Sequence, residues 1–108
     1  MRDEELEALV RRDLGDLEGL ELRKMFGGVC WMWRGHLLCG AKEDGVLVRL
    51  GKGNDGWALE EEGVRAMEMG GRAMEGWVRL GRDWAEDQDL RIRLLEGAKA
   101  FVRGLPAK

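Results

Sequence analysis

Cys30, His36 and Cys39 are the residues of this chain best suited to covalent or ligating chemistry, for they supply its only thiols and its only imidazole. What they could do depends on the strand face each one occupies. The run from Arg23 to Leu50 is rich in Val, Leu, Trp, Met and Cys and is broken at Gly27-Gly28, Arg34-Gly35 and Glu43-Asp44-Gly45, the pattern of an antiparallel meander with tight turns. A two-residue loop at Arg34-Gly35 sets Cys30 opposite Cys39, Trp31 opposite Leu38, Met32 opposite Leu37 and Trp33 opposite His36. Cys30 and Cys39 are then a candidate redox pair, directly opposed at a non-hydrogen-bonded position where side chains lie close. In a reducing compartment the same two residues are small apolar core side chains.

His36 stands three residues before Cys39 on one strand and so points to the other face, which argues against a thiol–imidazole dyad. A structural zinc site asks for four ligands, more than one histidine and two cysteines supply, so no metal is expected. The chain has no serine, threonine or tyrosine, which removes hydroxyl nucleophiles. The carboxylates of Glu60, Glu61 and Glu62 form a run of the kind found on solvated helix surfaces. No enzymatic activity and no cofactor are expected.

Gly51-x-Gly53-x-x-Gly56 matches the dinucleotide-binding glycine pattern, which has meaning only inside a parallel strand-helix-strand unit. Tight turns make the preceding strands antiparallel, so this stretch reads as a loop leading into a short helix. Trp31 and Trp33 share one strand face, and each buries on the order of 150–250 Å² when covered. Either the chain's own helices cover them or a second subunit does. With Arg34 and Arg49 they are the candidate interaction residues, and stacking on bases is the nucleic-acid version of the same surface.

The elements that position these residues follow from periodicity. Asp3 caps a helix over residues 4 to about 14 with an apolar stripe through Leu6, Leu9, Val10 and Leu14. A first strand, bent at Gly27-Gly28, runs from about Leu22 to Trp33, and the faces predicted by the hairpin put Cys30, Met32, Leu37, Cys39 and Ala41 together, continued by Val46, Val48 and Leu50. A short helix follows Asn54, two strands meet at Gly70-Gly71, and a last helix opens at Asp87 or Asp89 and runs to about Arg103. The expected fold is a two-layer α+β domain, residues 1–108, with an antiparallel sheet in the order α-β-β-β-α-β-β-α.

Charged residues make up 36% of the chain and the formal net charge is −3, which weighs against direct nucleic-acid binding through bulk charge. Positive charge is concentrated in residues 22–52 and 64–82, the sheet segments. No window resembles a signal peptide or a membrane span, and a cytoplasmic protein is expected.

Met25-Phe26-Gly27-Gly28, Gly35 on the hairpin, Val46-Leu47-Val48-Arg49 and the stretch from Met67 through Gly70-Gly71 to Gly76-Trp77-Val78 together resemble the N-terminal domain of the TfoX/Sxy family. The Leu-Pro-Ala-Lys ending, Leu105 to Lys108, looks like that of its stand-alone members. The resemblance implies an α+β fold and the company of regulators of natural competence, in which this domain precedes a helical C-terminal one that this chain is expected to lack. It brings no catalytic residues. Phe26, Gly27, Gly28, Gly35, Gly71 and Trp77 match the pattern for backbone or packing reasons, whereas Arg49, at a strand end amid apolar neighbours, needs a partner.

The function expected is that of a non-enzymatic cytoplasmic regulatory module acting through protein contacts, in transcriptional control, with self-association through the tryptophan face as one form of contact. The alternative is a nucleic-acid or small-anion binder using Arg23, Lys24, Arg34 and Arg49 on a basic, tryptophan-bearing sheet face.

Overall fold

The computed structural model describes residues 3–25 and 27–106. Phe26, which contributes to the family resemblance, lies outside the described residues, as do Ala107 and Lys108 of the terminal run.

Helix α1 spans Glu4–Leu14, and the Asp3 side chain accepts the Leu6 N–H at 3.0 Å. It satisfies one of the four orphan donors of a helix start. Strands β1 (Leu20–Met25), β2 (Gly28–Trp33), β3 (His36–Lys42) and β4 (Gly45–Arg49) follow. Helix α2 is one turn, Gly56–Leu59; then come β5 (Val64–Met69), β6 (Arg72–Gly81), a 3-10 turn at Arg82–Trp84 and helix α3 (Gln88–Arg103). Asp87 caps α3 by accepting the Leu90 N–H at 3.1 Å.

The six strands form one antiparallel sheet in the order β1-β2-β3-β4-β6-β5, so the α+β class and the antiparallel sheet stand as expected. The order gains a strand, because the bent strand expected through Gly27-Gly28 is two strands that reverse there, with Met25 paired to Gly28. Gly27 takes φ 78°, a value that lets the chain fold back instead of bending.

The hairpin register needs a larger correction. Trp33 pairs with His36 and Met32 with Leu37, but beyond that the ladder slips: Trp31 faces Cys39, Cys30 faces Gly40 and Val29 faces Ala41. Leu38 is the extra residue of a bulge. Area explains the slip, since putting Trp31 and Trp33 under the helices removes far more apolar surface from water than putting Cys30 and Met32 there. The bulge then restores Cys39 and Ala41 to that same covered face. The consequence is that Leu6, Val10 and Leu14 of α1 and Leu90, Leu94, Ala98 and Val102 of α3 pack with Val29, Trp31, Trp33, Leu38, Cys39, Val46, Val48, Val78 and Leu80 in one core.

Across this layer Arg91 of α3 and Asp13 of α1, with side chains each 2% exposed, form a two-point ion pair with Nε–Oδ2 at 2.5 Å and Nη2–Oδ1 at 3.3 Å. The remaining Arg91 nitrogen donates to Ala85 O at 2.6 Å, so each nitrogen of the buried guanidinium has an acceptor. At the sheet edge Arg82 reaches Asp3, Glu5 and Glu86 at 2.7, 3.2 and 3.0 Å. The start of α1 is tied there to the end of β6.

Among the described residues the other face of the sheet carries no helix. It is nevertheless concave. In a flat sheet with strands about 4.8 Å apart, β1 and β5 would lie roughly 24 Å from each other, yet Met25 of β1 and Met67 of β5 line one hollow. Bulges supply the bend: Leu38 in β3, and Met74–Trp77 of β6 set against Met67 alone. Such insertions increase local twist and curl a sheet. Within the second bulge Gly76 has φ 86° and its amide donates to Asp55 Oδ2 at 3.1 Å.

Candidate functional site

The residues singled out from sequence divide between the two faces. Trp31 and Trp33 are 2% and 7% exposed. Trp31 lies beside α1, and Trp33 donates its indole N–H to Glu18 O at 2.8 Å. The chain's own elements cover this pair, so a partner cannot reach it while α1 is in place. Arg34, with φ 51° in the hairpin loop, lies over the Trp33 ring at 4.5 Å. Arg49 finds its partners in two rings, Trp77 at 5.2 Å and Phe101 at 5.3 Å, each contact worth about 0.5–1 kcal/mol at a partly exposed site.

Cys30 and Cys39 do not face one another. Cys39 sits on the helix-covered face and Cys30 on the uncovered one, and both are free thiols. Burial pushes both thiols up from their ordinary pKa, Cys39 further, with the neighbouring Cys30 adding to it. A thiol held protonated is a poor nucleophile. The bulge does bring His36 and Cys39 to one face, contrary to the simple alternation. His36 is otherwise engaged: its Nε2 lies 2.6 Å from Pro106 O, and since a carbonyl only accepts, Nε2 carries the proton. Its Nδ1 is buried and has no hydrogen-bond partner among the described residues. Among the described residues no three His, Cys, Asp or Glu side chains gather where a metal ion could be held.

The glycine-rich loop serves the fold. β4, which leads into it, is antiparallel to its neighbours. The N–H groups of Leu50 and Gly51 donate to Gly76 O at 2.7 and 3.1 Å, and a Cβ on Gly76 would come within 2.5 Å of Gly51 C. Asp55 spends its carboxylate on the Gly76 amide and does not cap α2.

What the sheet builds instead is a hollow of about 210 Å³ on its uncovered face. Glycines create it: Gly28, Gly40 and Gly45 bring no side chain to that face on three adjacent strands. Met25, Cys30, Leu47 and Met67 give it an apolar lining, and Lys42 and Arg79 stand at its mouth. Asp44 lies between these two cations, 2.9 Å from Arg79 Nη1 and 3.7 Å from Lys42 Nζ. On the same face the strand register adds Arg23, opposite Cys30, and Arg65, opposite Arg79. Glu21, 3.3 Å from Arg23, and Glu68 join Asp44 on this face, so Arg23, Lys42, Arg65 and Arg79 exceed the carboxylates there only narrowly, although the chain as a whole is acidic.

The family model of the TfoX N-terminal domain matches residues 12–101. The chain belongs to the TfoX N-terminal domain family. The match takes in all six strands, the loop pinned by Gly76 and nearly all of α3, so both the curl and the hollow lie inside the TfoX unit. No curated protein and no solved structure matches the chain. The TfoX N-terminal domain family is not a known enzyme family, and its name connects the fold with regulation of competence. Among the described residues no helix is long and apolar enough to cross a membrane.

Lys42, Leu47, Met67 and Arg79 were not picked out from the sequence. The usable signal was the alternation Leu47, Arg49 on β4 and Trp77, Arg79 on β6: apolar and cationic residues sharing the face opposite Val46, Val48, Val78 and Leu80.

Proposed function

We propose that the protein is a non-enzymatic, cytoplasmic regulatory module that acts by contact with another protein in transcriptional control, as its family suggests, through the uncovered face of the sheet. The observation that carries this reading is the asymmetry of the two faces. Helices α1 and α3 pack on one side, while the other keeps Cys30 and Leu47 recessed in a concave surface rimmed by Arg23, Lys42, Arg65 and Arg79. A surface of that shape and charge suits a protruding, acidic segment of a partner, with electrostatics speeding encounter and apolar contacts holding it.

The test is capture from lysate of the native host with the immobilised chain, compared with the double variant Arg23→Glu, Arg65→Glu. Both substituted residues are exposed, so the fold should persist. A partner retained by the wild type and lost by the variant supports the proposal; identical capture profiles refute it.

The alternative, binding of a nucleic acid by the same cations, is favoured by the excess of arginine on this face. It predicts affinity that falls steeply with salt. Fluorescence anisotropy with duplex and single-stranded oligonucleotides at about 0.05 and 0.2 M salt decides: on our reading neither oligonucleotide binds at either concentration, whereas a phosphate-tracking protein binds at the lower one and loses several powers of ten by the higher.

A further inference from the structure

We infer that the hollow of the uncovered face is a binding site for a small organic monocarboxylate with a short apolar body. The inference deepens the use of that face proposed above, but stands on separate observations.

The first is volume. At about 210 Å³ the hollow is smaller than the roughly 300–1,000 Å³ of clefts that take drug-sized molecules, so a nucleotide or a large cofactor is too big to be enclosed by it. A single acyl chain or one ring is not. The second is lining: Met25, Cys30, Leu47 and Met67 are apolar and two of them are thioethers, which adapt to the shape of an aliphatic occupant. An apolar body seated against this lining removes it from water with gain.

The third observation concerns the mouth. Asp44 engages Arg79 through Nη1 alone and stands off Lys42 at 3.7 Å. The Arg79 Nε–H and Nη2 donors and the Lys42 ammonium thus remain open among the described residues. A planar guanidinium edge is a natural seat for a carboxylate. Like charges set directly opposite across a strand pair destabilise it, and Arg65 faces Arg79 in register with no carboxylate paired to it among the described residues. An added anion relieves that opposition. Glu68 also borders the hollow, exposed on β5, and limits the site to a single negative charge rather than a phosphate or a dicarboxylate.

The test titrates the full chain with octanoate and with octan-1-ol by isothermal calorimetry, and follows modification of Cys30 by a small thiol reagent in parallel. Octanoate should bind at least about tenfold more tightly than the alcohol, the effect of one charge-assisted hydrogen bond. Octanoate should also slow the labelling of Cys30 while leaving the Cys39 rate unchanged. Arg79→Gln and Lys42→Gln should each bring octanoate close to the alcohol, with thermal melts confirming that each variant folds. Should Arg79→Gln fail to fold, Lys42→Gln and the Cys30 protection in the wild type decide by themselves. Equal binding of acid and alcohol, unprotected Cys30, or no binding at millimolar octanoate overturns the inference. None of these results touches partner capture, which is measured without added carboxylate, so the two readings fail separately.

Discussion

At the scale of single residues, Arg91 is the most consequential side chain outside the hollow. It and Asp13 are taken out of water together, and the Ala85 carbonyl completes the guanidinium. Arg91→Met leaves a buried carboxylate unpaired and should cost about 3–5 kcal/mol in urea unfolding, whereas Arg91→Met combined with Asp13→Leu should recover most of that loss. The thiols give a second prediction. Under native conditions Cys30 should label slowly and Cys39 more slowly still, and mild oxidation should yield no bridge between them, because the sheet separates their side chains. A reversible intramolecular disulfide in folded protein would contradict the register described here. The sequence identified these residue types correctly but mistook their geometry: strict alternation cannot foresee a bulge, and one inserted residue, Leu38, moved Cys39 from the face of Cys30 to that of Trp31.

At the scale of elements, the starts of α1 and α3 and the turn at Gly70-Gly71 were legible, since caps and turn glycines act locally, whereas the cap expected for α2 at Asn54 is not made, because Asn54 donates to Leu50 O and Asp55 holds the Gly76 amide. The Asp3 cap is also a pH device. The Leu6 N–H, followed by the Arg82 guanidinium, holds the Asp3 carboxyl below its ordinary value of 3.8. A carboxylate depressed in the folded state stabilises above its unfolded pKa, and that stabilisation is lost as pH falls through the lower folded value. Asp3→Asn, which keeps a capping oxygen, should therefore flatten the acid limb of a stability profile below about pH 4. Asp3→Ala should lose about 1 kcal/mol at neutral pH. The β6 bulge was not legible, because Gly76 earns its place only against Gly51, distant in sequence. Gly53 and Gly76 have nearly equal φ, 87° and 86°, but space surrounds Gly53 and backbone crowds Gly76. Gly53→Ala should cost about 1–2 kcal/mol from the left-handed backbone alone, and Gly76→Ala distinctly more, as thermal melts of the two variants will show.

At the scale of the whole molecule, the fold class could be read from order and periodicity, but the working surface could not. Burial of the largest rings decides which face the helices take, and that decision depends on α1 and α3 arriving from opposite ends of the chain. A chain truncated before residue 16 should expose Trp31, red-shifting indole emission and promoting aggregation. Overall charge was equally uninformative: an acidic chain keeps Arg23, Arg65 and Arg79 on the side that no helix covers among the described residues. The curvature of the sheet carries a last consequence. Since its first and last members in spatial order border the same hollow, whatever settles there acts as a clasp between two outer margins that are otherwise free to fray. Occupancy should thus be visible far from the contact itself, as slower deuterium uptake along both rims at once.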